Sequence, residues 1–253
     1  MELIDNQEPK FKVENVNTFN WMNAIRGMRN PKKSYNKIDS YYEIAKLPDH
    51  TLKEGDKITE DTIKTHFVMG ENDYDLAMRL ATAGSDHGKF LRQIEISMDI
   101  TAGWMFWKQY ATYKVATVEN STSMMHTLGD EKLKPKHFCW DRLTAYRESM
   151  LKHLNHVIKQ IEHFKEEIKD QQPANTWKER KKVKELKDSK KKAWRELNED
   201  MPGSFLYKRT CTLNYEVARN MYHARKGHKL VEWTLFRSCL DKLPYSELIT
   251  EPR

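Results

Sequence analysis

Four polar residues near the C-terminus have the types and spacing to hold a ligand. Asn214, Asn220, Arg225 and His228 lie within Asn214–Trp233, NYEVARNMYHARKGHKLVEW. Read as a helix, this stretch puts Asn214 and Arg225, about three turns apart, on one face. Asn220 falls roughly a third of a turn from that face at ~100° per residue. Val217, Met221 and Ala224 form an apolar strip. Gly227 ends the helix, as a glycine just past a C-terminus does, and leaves His228 in the turn, facing any ligand the helix holds. Arg225 carries a guanidinium, which can hold an anion such as a phosphate through paired hydrogen bonds. The same pattern also fits a plain amphipathic helix with a solvated polar side. A second run, Trp107–His126 (WKQYATYKVATVENSTSMMH), is likewise richer in hydrogen-bonding groups than packing requires.

Other chemistry has little support in the sequence. There is no Walker loop, GxGxxG, HExxH or GxSxG. Cys139, Cys211 and Cys239 are widely spaced and odd in number, which fits reduced thiols rather than a zinc site or a disulfide framework. His153, His156 and His163 have no carboxylate or cysteine at ligand spacing and are expected to be solvated, so no metal site is expected. The net charge of +7 favours anionic partners. Much of the positive charge sits in one lysine-rich run, Lys178–Lys192, which reads as a solvated helix face rather than a nucleic-acid surface. No apolar run approaches the ~20 residues that span a bilayer, and Met1–Lys10 does not read as a signal peptide, so a cytoplasmic protein is expected.

The elements that must position these residues are mostly helical. The 253 residues suffice for a substantial core, and aromatics at 11% argue against disorder despite 32% charged residues. Met1–Asn15 reads as a loose arm and Tyr35–Lys64 as loop. Thr18–Met28 reads as a helix with Thr18 as a candidate N-cap and Trp21, Ile25 and Met28 on one side. Asp73–Ala83 predicts a helix with Leu76, Leu80 and Ala83 on one face. Gln93–Thr101 alternates Ile94, Ile96, Met98 and Ile100 with polar residues, a half-buried strand. Trp104–Tyr113 reads as an aromatic-rich helix and Val115–His126 as a polar loop or second helix. Arg142–Lys169 carries a stripe of Leu143, Tyr146, Met150, Leu154, Val157, Ile161, Phe164 and Ile168. Pro173 breaks it, Trp177–Leu197 resumes it, and 165–200 forms a charged helical segment. Lys208–Lys226 and Lys229–Lys242 are the last helices, the latter burying Leu230, Trp233, Phe236 and Leu240. Since a lone strand is not stable, others are expected within Tyr35–Val68 or near Phe205. The expected fold class is α+β, mainly helical with a small antiparallel sheet, in a single domain spanning 1–253.

The spacing N-x5-N-x4-R, then His228 and Glu232-Trp233, resembles the C-terminal signature of the flavin-dependent thymidylate synthases, in particular divergent forms carried by phages. Met201–Leu213 (MPGSFLYKRTCTL) is similar to the segment entering that family's helix. Asn23–Pro31 (NAIRGMRNP) resembles the phage-type opening, and Ala83–Arg92 (AGSDHGKFLR) the segment ahead of the family motif RHRxxSxNExSxRY. That motif falls on Thr112–Met125. Lys114 stands at its second arginine, Thr117 at its first serine and Thr122 at its second. Its Asn-Glu pair appears reversed as Glu119-Asn120, and Met124-Met125 replaces Arg-Tyr. A one-residue insertion aligns Ser123 with the second serine instead. Gln109 matches the glutamine preceding the motif.

The resemblance implies a homotetramer with FAD at a subunit interface and dUMP beside its isoalloxazine ring. It further implies methylenetetrahydrofolate as one-carbon donor and NADPH as reductant. Carried over residue by residue, Lys114, Asn120, Asn214, Asn220 and His228 would touch FAD. Gln109, Thr122 or Ser123, and Arg225 would hold the nucleotide. Three readings stand at this point. One is a flavin enzyme methylating dUMP or a related pyrimidine nucleotide, acting in a host cytoplasm if phage-encoded. Another is a nucleotide-binding or regulatory protein on the same fold without flavin chemistry. The third is a basic nucleic-acid-binding module using Lys178–Lys192.

Overall fold

The computed structural model describes residues 10–44, 65–123, 127–129 and 131–252. Two small sheets accompany a mainly helical chain, so the α+β expectation holds. Strands β1 (Lys12–Phe19), β4 (Glu95–Ala102), β6 (Tyr207–Asn214) and β5 (Thr117–Ser121) lie in that order in one sheet. Strands β2 (Tyr41–Ile44) and β3 (Thr65–Val68) pair antiparallel, Tyr41 opposite Val68 and Ile44 opposite Thr65. The expectation of hidden strands in Tyr35–Val68 and near Phe205 is met by β2, β3 and β6; the part of the Tyr35–Lys64 loop over 45–64 lies outside the described residues. No helix among the described residues is long and apolar enough to cross a membrane.

By compactness the chain divides into two units. One comprises Met1–Glu14, Asp99–Thr112 and Glu119–Thr210; the other comprises Asn15–Met98, Tyr113–Val118 and Cys211–Arg253.

In the second unit, α1 (Trp21–Arg29) buries Trp21, Ala24, Ile25 and Met28, the apolar side read from the sequence. Thr18 is not its N-cap. Asn20 holds that position in the left-handed region (φ 69), while the Thr18 hydroxyl accepts from Trp21 Nε1 at 3.2 Å. Trp21 stacks on Phe67, with ring centroids 5.3 Å apart, and meets Tyr215 and Tyr245 edge-on.

Helix α2 (Glu71–Thr82) turns a different face inward from the expected one. Asp73, Ala77 and Ala81 are buried, whereas Leu76 and Leu80 are half-buried and Ala83 is exposed. The reason is Asp73, which is fully buried and takes Arg29 Nε on Oδ1 at 2.6 Å. Its Oδ2 accepts from the Asp39 and Ser40 amides, both at 3.0 Å, and from the Ser40 hydroxyl at 2.7 Å. A carboxylate with four donors fixes the helix rotation, and the alanines one and two turns on follow it inward. Asp39 caps α2 from outside, accepting from the Asn72 and Asp73 amides at 2.8 and 3.0 Å. Desolvation pushes the Asp39 carboxyl up, but those two backbone N–H groups and the side-chain bonds outweigh it and hold it below its ordinary value.

The other unit contains α3 (Trp104–Tyr110), with Phe106, Trp107 and Tyr110 buried, and the hairpin of α4 (Ala145–Asp170) with α5 (Trp177–Glu199). Thr144 caps α4 by accepting from Arg147 N, and Thr176 with Glu179 forms a capping box on α5. Between them Leu154, Val157, Ile158, Ile161, Ala193 and Leu197 form a core against the stacked Phe138–Trp140 pair, centroids 4.1 Å apart. The expected stripe of α4 is therefore the packed face, except at Tyr146, which is 75% exposed. His153 meets Asp200 just past the end of α5, so Tyr146, two turns earlier on α4, lies beyond that end.

Three further readings need correction. Residues 12–15 are not part of a loose arm but begin β1; residues 1–9 of that arm lie outside the described residues. Val115–His126 holds β5 rather than a loop or helix, with 124–126 outside the described residues. His153 is not an isolated solvated histidine, since its Nε2 lies 2.7 Å from Asp200 and 4.0 Å from Glu196; His163 likewise has Glu167 at 3.7 Å.

Candidate functional site

The helix expected over Lys208–Lys226 is instead a strand followed by a helix. β6 runs to Asn214, and α6 covers Tyr215–Ala224. Asn214 is the junction. It is extended (φ −107, ψ 169) and its Oδ1 accepts from Val217 N at 2.9 Å, an N-cap that satisfies one of the helix's orphan donors. Asn214 and Arg225 thus bracket α6 as its two caps instead of sharing a face along it. Val217 and Met221 are buried as expected, while Ala224 and Asn220 are exposed. Gly227 takes φ +68, which ends the turn after the helix.

Arg225 occupies the C-terminal end of α6. Its Nε donates to the Tyr113 hydroxyl at 2.9 Å. The guanidinium carbon lies 4.6 Å from the centroid of the Trp233 ring and 5.2 Å from that of Tyr113. Trp233 is fully buried in α7 (Val231–Leu240), together with Phe236 and Leu240 as expected, whereas Leu230 is half-buried and precedes the helix. The two rings lie 6.1 Å apart. A planar cation packed against two neighbouring aromatic rings loses little freedom when it meets a carbonyl or phosphate, and the rings stabilise its charge.

His228 lies 6.4 Å from the Trp233 ring, centroid to centroid, and its Nδ1 accepts from Leu230 N at 3.0 Å. That bond fixes the tautomer: Nδ1 is bare, so the neutral ring carries its proton on Nε2 and offers a donor. Lys114 follows Tyr113 and is exposed. One unit therefore holds Lys114, Asn214, Asn220, Arg225 and His228.

The remaining candidates belong to the other unit. Gln109 is half-buried on α3 and its carbonyl accepts from the Thr112 hydroxyl at 2.7 Å. Asn120 is exposed on β5. Thr122 is tied to β6, its amide and hydroxyl both meeting the Lys208 carbonyl, at 2.9 and 3.2 Å. The Ser123 carbonyl accepts from the Thr127 hydroxyl at 2.9 Å.

Two arginines were missed by sequence reasoning. Arg209, on β6, pairs with Glu119 and lies over the Trp107 ring at 4.3 Å. Glu119, at the reversed Asn-Glu position, is thereby engaged by a cation from the same sheet. Arg219, only 1% exposed, donates to the Leu248 and Glu251 carbonyls, both at 2.7 Å, and so fastens the C-terminal turn α8 (Glu247–Thr250). Alternation in Tyr207–Leu213 was the available signal for Arg209. His153, Glu196 and Asp200 bring one ligand atom each within 4.8 Å of one another on an exposed surface, and His153 and Asp200 are hydrogen-bonded there.

No protein-family model matches the chain, and no curated protein does. Solved structures match over nearly its whole length. The fold is that of the flavin-dependent thymidylate synthases. One match is the enzyme ThyX of Helicobacter pylori complexed with FAD and dUMP, at a TM-score of 0.57 and 13% identity, covering 94% of this chain and 97% of that one. Another structure of Helicobacter pylori thymidylate synthase X with FAD and dUMP, at 2.31 Å resolution, matches at 0.58 and 13%, covering 95% and 96%. The likeness to these thymidylate synthases is one of backbone architecture.

Proposed function

We propose that this chain is a divergent flavin enzyme that methylates dUMP or a related pyrimidine nucleotide. In this reading methylenetetrahydrofolate supplies the one-carbon unit, NADPH the reducing equivalents, and a homotetramer completes the site. The observation that carries it is the thymidylate synthase fold, matched end to end by proteins solved with FAD and dUMP.

The donor set here suits such ligands. Arg225 presents a guanidinium oriented by Tyr113 and Trp233, apt for a nucleotide phosphate or the O2/O4 edge of the base. His228 offers Nε2–H, and Lys114 and Asn220 are exposed and so accessible to a flavin. Asn214 is buried with its oxygen committed to the cap, so its part is to fix where α6 begins. By the family resemblance Asn120 is assigned to the flavin, and Gln109 with Thr122 or Ser123 to the nucleotide. FAD, when bound, supplies hydride chemistry, and the residues bind and orient the reactants around it.

The test is the visible absorption spectrum of the untagged protein, alone and with added FAD. A bound-flavin spectrum, with turnover of dUMP lost in Arg225→Ala while the fold survives, is the expected result. A colourless protein with excess FAD overturns the reading and favours a nucleotide-binding protein on the same fold, consistent with the motif arginines replaced at Thr112 and Met124.

A further inference from the structure

Three metal-ligating side chains meet at the end of the α4–α5 hairpin away from its connecting turn. His153 stands on α4, Glu196 lies in the last turn of α5, and Asp200 is the C-cap of α5. Spaced i and i+4, the two carboxylates share one face. His153 Nε2 is 2.7 Å from Asp200 Oδ2 and 4.0 Å from Glu196 Oε1, and one ligand atom of each residue lies within 4.8 Å of the others. The neighbouring Leu154 and Leu197 are fully buried in the hairpin core, which fixes the backbone beneath the group.

The His153–Asp200 hydrogen bond satisfies two of these groups and gives no reason for Glu196. Two carboxylates side by side repel, and the negative end of a helix is where they are least favourable. The last turn of α5 holds no basic residue. Among the described residues, no lysine or arginine reaches ion-pair distance of either carboxylate. A neutral imidazole leaves both negative charges uncompensated, and a divalent cation cancels them.

We propose that His153, Glu196 and Asp200 form a site for a divalent metal of the zinc type, which staples the two helices of the hairpin. An imidazole nitrogen beside carboxylate oxygens is a zinc donor set, whereas calcium and magnesium take oxygen ligands. Bonds of about 2.1 Å in a tetrahedron set ligand atoms about 3.4 Å apart, between the two separations seen here. Small rotations of exposed side chains therefore close the site, with water at the fourth position. On binding, His153 Nε2 exchanges its hydrogen bond to Asp200 for the metal, and the ring proton sits on Nδ1. The site uses none of the residues assigned to flavin or nucleotide.

Titration calorimetry of the full chain with zinc chloride, after removal of metal by chelator and dialysis, tests it. Cobalt(II) reports the ligand set by its visible absorption. One equivalent bound per chain is expected, with a rise in melting temperature. His153→Ala, Glu196→Gln and Asp200→Asn change only exposed side chains, and each should lose both the equivalent and the rise. His163→Ala, at an exposed histidine with Glu167 as its carboxylate, should keep them. Absence of saturable zinc binding overturns the proposal. So does binding that survives His153→Ala with the thiolate absorption of a cobalt–cysteine complex, or calcium bound as tightly as zinc. Flavin retention is read separately by its own spectrum in metal-free protein, so either idea can fail alone.

Discussion

Arg225 Nε and the Tyr113 hydroxyl meet at 2.9 Å, and the same tyrosine ring lies beneath the guanidinium. One side chain thus supplies both an acceptor and an aromatic face. Tyr113→Phe separates the two, keeping the face and deleting the acceptor. Denaturant unfolding should show a loss of about 0.5–1.5 kcal/mol, the net worth of such a bond. Nucleotide affinity should fall, because the guanidinium is no longer fixed about its long axis. Arg225→Lys should not rescue Arg225→Ala, since an ammonium cannot reproduce a planar fork. Equal affinity in wild type and Tyr113→Phe would show that the hydroxyl does not orient Arg225.

Asp73→Ala should be among the most damaging substitutions. It strands the buried Arg29 charge and removes the acceptor for the Asp39 and Ser40 amides. Breaking one partner of a buried pair costs about 3–5 kcal/mol, which a shift in the urea midpoint would report. Arg79→Ala, at an exposed pair on the same helix, should cost less than about 1 kcal/mol and serves as the control.

His223 predicts an acid-side loss of stability. Desolvation, with help from the Arg219 charge, holds its pKa below the ordinary value, against the Ile249 and Glu251 carbonyls that raise it. The unfolded chain therefore binds the proton first, and stability falls as pH drops from the unfolded value of about 6.5 toward the lower folded one. Above that window the effect vanishes. His223→Gln should flatten this part of a melting-temperature profile, and an unchanged slope would assign the loss to other groups.

Neutralising Lys181, Lys184 and Lys191 to glutamine should change stability by no more than about 0.5 kcal/mol, because all three are exposed on α5. Flavin retention and turnover should also persist. Binding of DNA or RNA that weakens steeply with salt, and is lost in this variant, would instead reveal a nucleic-acid surface.

Legibility in the sequence followed the strength of each local pattern. β4 was readable because Ile94, Ile96, Met98 and Ile100 alternate strictly and all are buried. Helix α4 was readable from its long apolar stripe, and α5 as the charged helix resuming after Pro173. β1 was not, since KVENVNTF is largely exposed and has no apolar alternation to betray it. β6 was hidden by its run into α6, which made one continuous helix plausible, although an asparagine ahead of Tyr215 and Glu216 is a regular N-cap signal. The buried side of α2 depends on Arg29, which lies 44 residues away from Asp73. No local pattern carries such a pairing. Arg225 was singled out by its residue type and its place in the N-x5-N-x4-R spacing; the rings of Tyr113 and Trp233 beside it are a product of the fold.

The division into two units has a consequence for anyone who would dissect the chain. Each unit is assembled from three separate stretches, and the backbone passes from one to the other five times. No single truncation can release either. A gene fragment cut at any one boundary encodes either parts of both units or one incomplete piece of a single unit, so exchanging either unit intact between proteins requires inheriting the whole chain.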